Sequence, residues 1–389
     1  MGLRGPPVGG RRNRCAMKAV YEAAASLAND HQEFVLATVV NTKGSTPQKP
    51  GASLLVRADG TTVGTLGGGC VEGDIWFAAK EALRERADPF YKEYYLNEDI
   101  AARDGLVCGG SMYFYIEPVL GPGEFSSLAG EIASAYGGGP PLAVATMVKR
   151  AGEGTGKRLV VREDGSTTGT LGDAGLDVEA TEAAKAVMDL GKTAHIQTAD
   201  GSEIFVAGYT SPARLVLVGG GHVNLQVAKI AELLGFRVMV TDDRPEFANE
   251  ERFPMAEAVS VAAYDHGLDA FAITKNTAIV VGTRGHNFDD LALEAAVRTP
   301  AAYVGLLGSK RKTILIYQAL LGRGISAERL KQVHSPVGLD LGGRTPEEIA
   351  LSIMAEIVAF WYDRDGGTMK IEDAQIDRIS RKVREAAAR

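Results

Sequence analysis

Residues 54–67 read LLVRADGTTVGTLG, and residues 159–172 read LVVREDGSTTGTLG. No other feature constrains the fold as much: the first half of the chain builds one supersecondary unit twice. The flanks repeat as well. FVLATVV (34–40) parallels LAVATMV (142–148), and GGSMYFYIEP (109–118) loosely parallels DGSEIFVAGY (200–209). Each unit reads as two strands joined to a short third by a turn at Asp59-Gly60 or Asp164-Gly165, then a helix and a closing strand. The copies cover about 30–120 and 138–210.

The copies part where chemistry would sit. After Gly67 the first runs Gly68-Gly69-Cys70-Val71-Glu72; after Gly172 the second runs Asp173-Ala174-Gly175. Of the three cysteines, Cys15 lies near the start, and Cys70 and Cys108 both belong to the first copy. The first copy therefore carries the candidate site, and the second is its structural partner. Val71, Ile75, Ala78, Ala79, Ala82 and Leu83 share one face of a helix expected from about Val71 to Arg86. Gly67, Gly68 and Gly69 before that helix bare backbone N–H groups, and the helix N-terminus adds partial positive charge. A thiol there shifts toward thiolate, so Cys70 is a candidate nucleophile, sulfur carrier or soft-metal ligand. Glu72 either complements the helix dipole or accepts a proton. The plainer alternative makes Cys70 a small buried residue. Cys108 leads into the aromatic strand Tyr113-Phe114-Tyr115, where packing is the plainer role, with proximity to Cys70 as the other. Ser45 and Lys49 belong to the polar loop GSTPQKPG (44–51), which suits a phosphate-bearing ligand or is simply a turn.

From Arg214 the texture changes. The strand Leu215–Val218 meets Gly219-Gly220-Gly221-His222-Val223-Asn224, a helix runs to about Leu234, and a second strand ends at Asp242-Asp243-Arg244. Strand, glycine loop, helix, strand and an acid about 20 residues on form a dinucleotide-type unit. Asn224 stands where a third glycine or alanine is usual. Asp242 or Asp243 is the candidate ribose acceptor, and Arg244 the candidate phosphate contact. Further strands at 258–261, 278–282 and 302–307, separated by helical patterns, imply a parallel sheet. Its strand ends carry Thr283-Arg284-Gly285-His286 and Gly308-Ser309-Lys310-Arg311-Lys312. Arg284, His286, Ser309, Lys310 and Arg311 are thus candidate ligand contacts with Gly219, Gly221 and His222. Thr345 followed by Pro346 and Glu347-Glu348 starts a helix that runs to about Tyr362.

Charge and composition exclude several classes. With 42 Lys+Arg against 49 Asp+Glu the net charge is −7, which argues against nucleic acid as a partner. Three cysteines fit a reducing cytoplasm rather than a disulfide scaffold. No apolar run reaches the ~18 residues of a membrane span. Residues 1–16, rich in Gly, Pro and Arg, read as a disordered tail. The 47 glycines exceed the usual share, and many fall in the loops named above.

The motifs GSTPQKPGA, DGTTVGTLGGGCVEGD, CGGSMYFYIEPV, LVLVGGGHV, LLGFRVMVTDDRPEF, TRGHNFD, AYVGLLGSKRK and GLDLGGRTPEEIALSIMAEIVA together resemble the XdhC/CoxI family, from about Met17 to Tyr362. Gly67–Glu72 match its N-terminal motif, and Gly219, Gly221 and His222 its C-terminal one. Many members read T-H-x-H where this chain has Thr283-Arg284-Gly285-His286. The resemblance implies a bacterial accessory protein that binds molybdenum cofactor (molybdopterin). Such a protein supports the cofactor's sulfuration with a cysteine desulfurase and its insertion into a molybdenum hydroxylase of xanthine dehydrogenase or carbon monoxide dehydrogenase type. It also implies a homodimer, with Cys70 as metal ligand or persulfide carrier and two glycine loops facing one cofactor. The rival readings are an NAD(P)-dependent oxidoreductase and a non-catalytic nucleotide-binding sensor.

The fold class expected is α/β. An N-terminal α+β domain of two degenerate strand-rich repeats (17–212) precedes a C-terminal Rossmann-like parallel-sheet domain (213–365) and a charged helix (366–389).

Overall fold

The structure, a computed structural model, describes residues 10–96, 110–121, 123–150 and 154–387. Helix α1 (Gly10–Asn29) begins ahead of Met17, inside the segment read as a tail. The prolines of that segment, Pro6 and Pro7, lie before it, and Val20, Tyr21, Ala24 and Ala28 bury its inner face.

The first copy forms β1 (Phe34–Lys43), β2 (Ser53–Arg57), β3 (Thr62–Gly64), α2 (Gly69–Glu85), β4 (Phe90–Tyr95) and β5 (Ser111–Val119). After α3 (Glu124–Gly137), the second forms β6 (Leu142–Lys149), β7 (Arg158–Arg162), β8 (Thr167–Gly169), α4 (Ala174–Met188), β9 (Thr193–Gln197) and β10 (Glu203–Tyr209). The sheet orders are β3-β2-β1-β5-β4 and β8-β7-β6-β10-β9, the same topology twice. Alternation assigns the faces. In β1, Phe34 and Leu36 pack toward α1 and α3, while Val35, Ala37 and Val39 lie under α2. In β6, Leu142 and Val144 join the first cluster, while Ala143, Ala145 and Met147 lie under α4. Tyr113 and Tyr115 of one sheet meet Phe205 and Ala207 of the other. The two sheets therefore face each other, each covered outside by its own helix. Both turns are tied alike: Asp59 Oδ1 accepts from Thr61 N at 2.8 Å, and Asp164 Oδ1 from Ser166 N at 2.9 Å.

The second half forms β11 (Arg214–Val218), α5 (His222–Leu234), β12 (Arg237–Asp242), β13 (Ala258–Val261), β14 (Thr277–Val281), α6 (His286–Val297), β15 (Tyr303–Leu306), α7 (Lys310–Gly322), α8 (Ala327–Leu330), β16 (Val333–His334), α9 (Pro346–Trp361) and α10 (Asp373–Ala387). Its strands pair in parallel in the order β13-β12-β11-β14-β15-β16. The order reverses between β11 and β14, and crevices of this fold open at that point beyond the carboxyl ends. Thr345 and Glu348 close a capping box on α9.

The halves meet at the opposite edge of this sheet. Lys275 pairs with Asp189 at 3.1 Å, and Asn276 Nδ2 donates to Ser211 O at 2.8 Å. Both residues precede β14, and Leu190 packs against the core beneath β11 and α5. The joint thus sits at the amino ends of the parallel strands. The C-terminal glycine loop lies at their carboxyl ends. A strand of five residues sets the two edges roughly 16 Å apart.

Candidate functional site

Gly67, Gly68 and Gly69 take φ values of 106°, 74° and 66°, a left-handed run that favours glycine at each position. The loop is pressed on its neighbours: a Cβ at Gly67 would lie 2.7 Å from Pro47 Cβ. A Cβ at Gly110, where the described chain resumes before β5, would lie 2.4 Å from Ser45 O. Three motifs distant in sequence therefore converge: the 44–51 loop, the Gly67–Cys70 loop and the entry to β5. Ser45 and Lys49 are exposed at this meeting point, and Cys70 is half-buried in the first turn of α2. Cys108 lies outside the described residues.

Glu72 is committed to its own loop. Its Oε2 accepts from Thr65 Oγ1 at 2.7 Å, Leu66 N at 2.8 Å and Gly68 N at 3.2 Å. Asp177 does the same in the second copy, accepting from Thr170 Oγ1 at 2.6 Å and Leu171 N at 2.7 Å. The brace is shared, but the helix start is not. Asp173 caps α4 by accepting from Gly175 N and Leu176 N, the counterparts of Cys70 and Val71. The matching N-cap of α2 is Gly68, which makes no side-chain cap. The first copy thus presents glycine where the second places a carboxylate.

In the second half, Gly219 and Gly220 are explained by close packing. A Cβ would fall 2.2 Å from Gly282 O at the first and 1.9 Å from Phe247 O at the second. At Gly221, the N-cap of α5, a Cβ would meet nothing, and His222 beside it is exposed. Asn224 Nδ2 donates to Gly219 O at 2.7 Å. Asp242 is fully buried and accepts from Gly220 N at 2.8 Å and from Arg244 N and Nε. Burial raises the carboxyl's pKa, but these bonds outweigh it and hold it below the ordinary range. Asp242 therefore ties the loop, and Asp243 is the acid nearer solvent. Arg284 Nη2 donates to Asp243 Oδ2 at 2.6 Å. His286 opens α6. Ser309 caps α7 through Lys312 N. Lys312 turns inward to an ion pair with the buried Asp289, while Lys310 and Arg311 stay exposed. Ser309, Arg311, Lys312, Asp290 and Leu315 line a groove of about 430 Å³. Among the described residues, no group of three or more His, Cys, Asp or Glu is placed to hold a metal ion, and no helix is long and apolar enough to cross a membrane.

The model of the XdhC and CoxI family matches residues 27–93 and 136–199, one segment in each copy, and the XdhC Rossmann domain matches 215–357. A probable xanthine dehydrogenase subunit in Bacillus subtilis (strain 168) is 30% identical over 86% of this chain and 94% of its own. The chain belongs to the XdhC and CoxI family. Two Escherichia coli (strain K12) proteins are also similar. "Uncharacterized protein YqeB" is 28% identical over 90% of this chain, which spans 48% of that protein's length. "Molybdenum cofactor insertion chaperone PaoD" is 26% identical over 84% of this chain and 82% of its own. The crystal structure of a xanthine dehydrogenase from Bacillus halodurans aligns with TM-score 0.62 and 25% identity, over 90% of this chain and 98% of that one. Family membership supports the mixed architecture read from the motifs.

Proposed function

We propose that this protein is a cofactor chaperone that binds molybdenum cofactor at the first copy's glycine loop and supports its sulfuration and insertion into a molybdenum hydroxylase. The observation that carries this reading is the contrast at the helix starts: glycine at position 68, carboxylate at position 173. Where the second copy caps its helix with a carboxylate, the first has glycine, which gives an outside anion room to approach. The phosphate of the pterin is such an anion, and helix N-termini suit it. Ser45 and Lys49 belong to the loop whose Pro47 presses on Gly67. Gly67–Gly69 hold the loop, and Glu72 braces it without moving a proton. Cys70 supplies a soft donor for molybdenum or a sulfur carried as persulfide, in a field that favours thiolate. Cys108 enters this reading only through its nearness in sequence to Gly110. The same reading carries finer expectations: a cysteine desulfurase as sulfur source, a homodimer as working form, the cytoplasm as location, and a xanthine or carbon monoxide dehydrogenase as recipient.

The test is Cys70→Ser. The variant is expected to fold, to co-purify with at most a tenth of the wild-type molybdopterin, and to lose activation of the recipient enzyme. Undiminished cofactor content and activation would reject the reading.

A second reading has its own observation. The open Gly221, the exposed His222 and Arg284 at the reversal point suit a nucleotide, and His286, Ser309, Lys310 and Arg311 border the same carboxyl-end face. An NAD(P)-dependent oxidoreductase would in addition need a proton donor beside the nicotinamide, and His222 or His286 would have to serve.

A further inference from the structure

We infer that the Asp243–Arg284 ion pair is a latch across the carboxyl-end crevice, opened when a ribonucleotide's phosphate draws Arg284 to the start of α5 and a ribose hydroxyl replaces it on Asp243. The inference rests on the nucleotide reading above and names the residues that would gate it.

The topology places the latch. Asp243 follows β12, Arg284 follows β14, and β11 lies between those strands in the sheet. Their 2.6 Å bond therefore passes over the end of β11, where Gly219–Gly221 turn into α5. Both ends are anchored through the backbone. Asp242 holds Gly220 N and Arg244, and Asp289 Oδ1 accepts from Thr283 N at 3.0 Å and Thr283 Oγ1 at 2.8 Å. Movement is left to the two side chains. Arg284 is 42% exposed and rests its guanidinium 4.5 Å from the Phe288 ring, so it can turn without unfolding anything.

A second observation points to a missing partner. Asp243 Oδ1 and Tyr264 Oη are buried, and neither meets a partner at good hydrogen-bond geometry, Tyr264 being only 2% exposed. Burial first, then the Asp242 charge and an imperfect side-chain hydrogen bond to Asp243, hold the Tyr264 pKa up, so the phenol and the Asp243 carboxylate face each other. Arg244 Nε stands 3.6 Å from Asp243 Oδ1, too far for a hydrogen bond. Buried polar atoms in native proteins are normally satisfied. A carboxylate oxygen and a phenol hydroxyl side by side match a sugar hydroxyl, which donates to one and accepts from the other. The N-terminus of α5, with no side-chain cap on Gly221, then receives the phosphate. Asp242, the acid this fold commonly offers to ribose, is unavailable here, so the task passes to Asp243.

The latch predicts opposite responses in its two halves. The full-length protein is titrated calorimetrically with ADP, adenosine and inorganic phosphate. In R284A, adenosine should bind at least threefold tighter, because nothing competes for Asp243, and phosphate at least tenfold weaker. In D243N, phosphate should bind at least threefold tighter, because Arg284 is released, and adenosine at least tenfold weaker. Y264F, a milder change, should weaken adenosine and leave phosphate alone. It keeps the test open if either of the others folds poorly. An ion pair that only stabilises the fold would move both ligands the same way. That result, or unchanged adenosine binding in Y264F, overturns the latch. If the wild type binds none of the three probes, the nucleotide reading itself fails.

Discussion

Glu72 shows how a residue's chemistry and its use can differ. A carboxylate two positions from a half-buried thiol has the chemistry of a proton acceptor, yet Thr65, Leu66 and Gly68 all donate to it. Its counterpart Asp177 braces a copy that has no cysteine. Hydrogen bonds to a charged group contribute roughly 1.5–3 kcal/mol. Glu72→Ala and Asp177→Ala should therefore each cost about 2 kcal/mol, read as a lower midpoint in urea unfolding. Loss of activation in Glu72→Gln at full stability would instead return Glu72 to proton transfer. Gly68→Asp asks a sharper question: it puts a carboxylate at the matching position, and because Gly68 sits at φ 74° where Asp173 sits at φ −148°, it also strains the loop. The variant should lose molybdopterin, and Gly68→Ala, which carries the same strain without the charge, should lose less. Retained cofactor would mean the start of α2 is not where the anion sits. Residue identities marked these positions, but they did not reveal which groups were already satisfied. Asp242 and Lys312 were legible as charged residues at strand ends, and only the fold shows them turned inward to Gly220 and Asp289.

At the scale of elements, the repeat, the glycine loops and the α9 capping box were legible because each rests on local pattern. The edge strands β4 and β9 were not. Of FYKEYY only Tyr94 is buried, and TAHIQ has no buried residue, so neither shows the alternation that marks a half-covered strand. Pairing with β5 and β10 makes them strands. Long-range polar contacts were equally invisible. Glu356 on α9 accepts from His334 Nδ1 at 3.0 Å, Tyr303 Oη at 2.5 Å and Gly338 N at 2.8 Å, pinning the helix to β15 and β16. Burial pushes this carboxyl up, but the His334 and Tyr303 bonds and the Gly338 amide hold it below its ordinary 4.5. A depressed carboxyl stabilises the fold above its unfolded pKa, and the gain is lost as pH falls through the folded value. Glu356→Gln should therefore melt lower than wild type at pH 7, with the gap closing below about pH 4. A gap that persists at pH 3 would place the cause in packing rather than charge.

At the scale of the whole molecule, the relation between the halves follows from a few contacts no motif announces. Asp189 with Lys275, Ser211 with Asn276 and Leu190 on the lower core put the joint at the amino ends of the parallel strands. The crevice at the carboxyl ends is then separated from the joint by the length of the sheet. Coupling between distant sites needs an element with two arrangements that both ligands bias. Within one chain the joint offers one ion pair, one hydrogen bond and a packed leucine, with α1 touching α5 and Gly138 approaching Arg237. The two candidate sites should therefore titrate independently. Cys70→Ser should leave ADP affinity within twofold of wild type, and Arg284→Ala should leave molybdopterin content unchanged, both measured on full-length protein. A reciprocal shift in the two affinities would be linkage, which is symmetric by thermodynamic necessity. It would mean that a second copy, or a rotation at the joint, brings the crevice against the Gly67–Cys70 loop. In that case the shift should grow with protein concentration if a second copy is responsible, and stay constant if the joint turns.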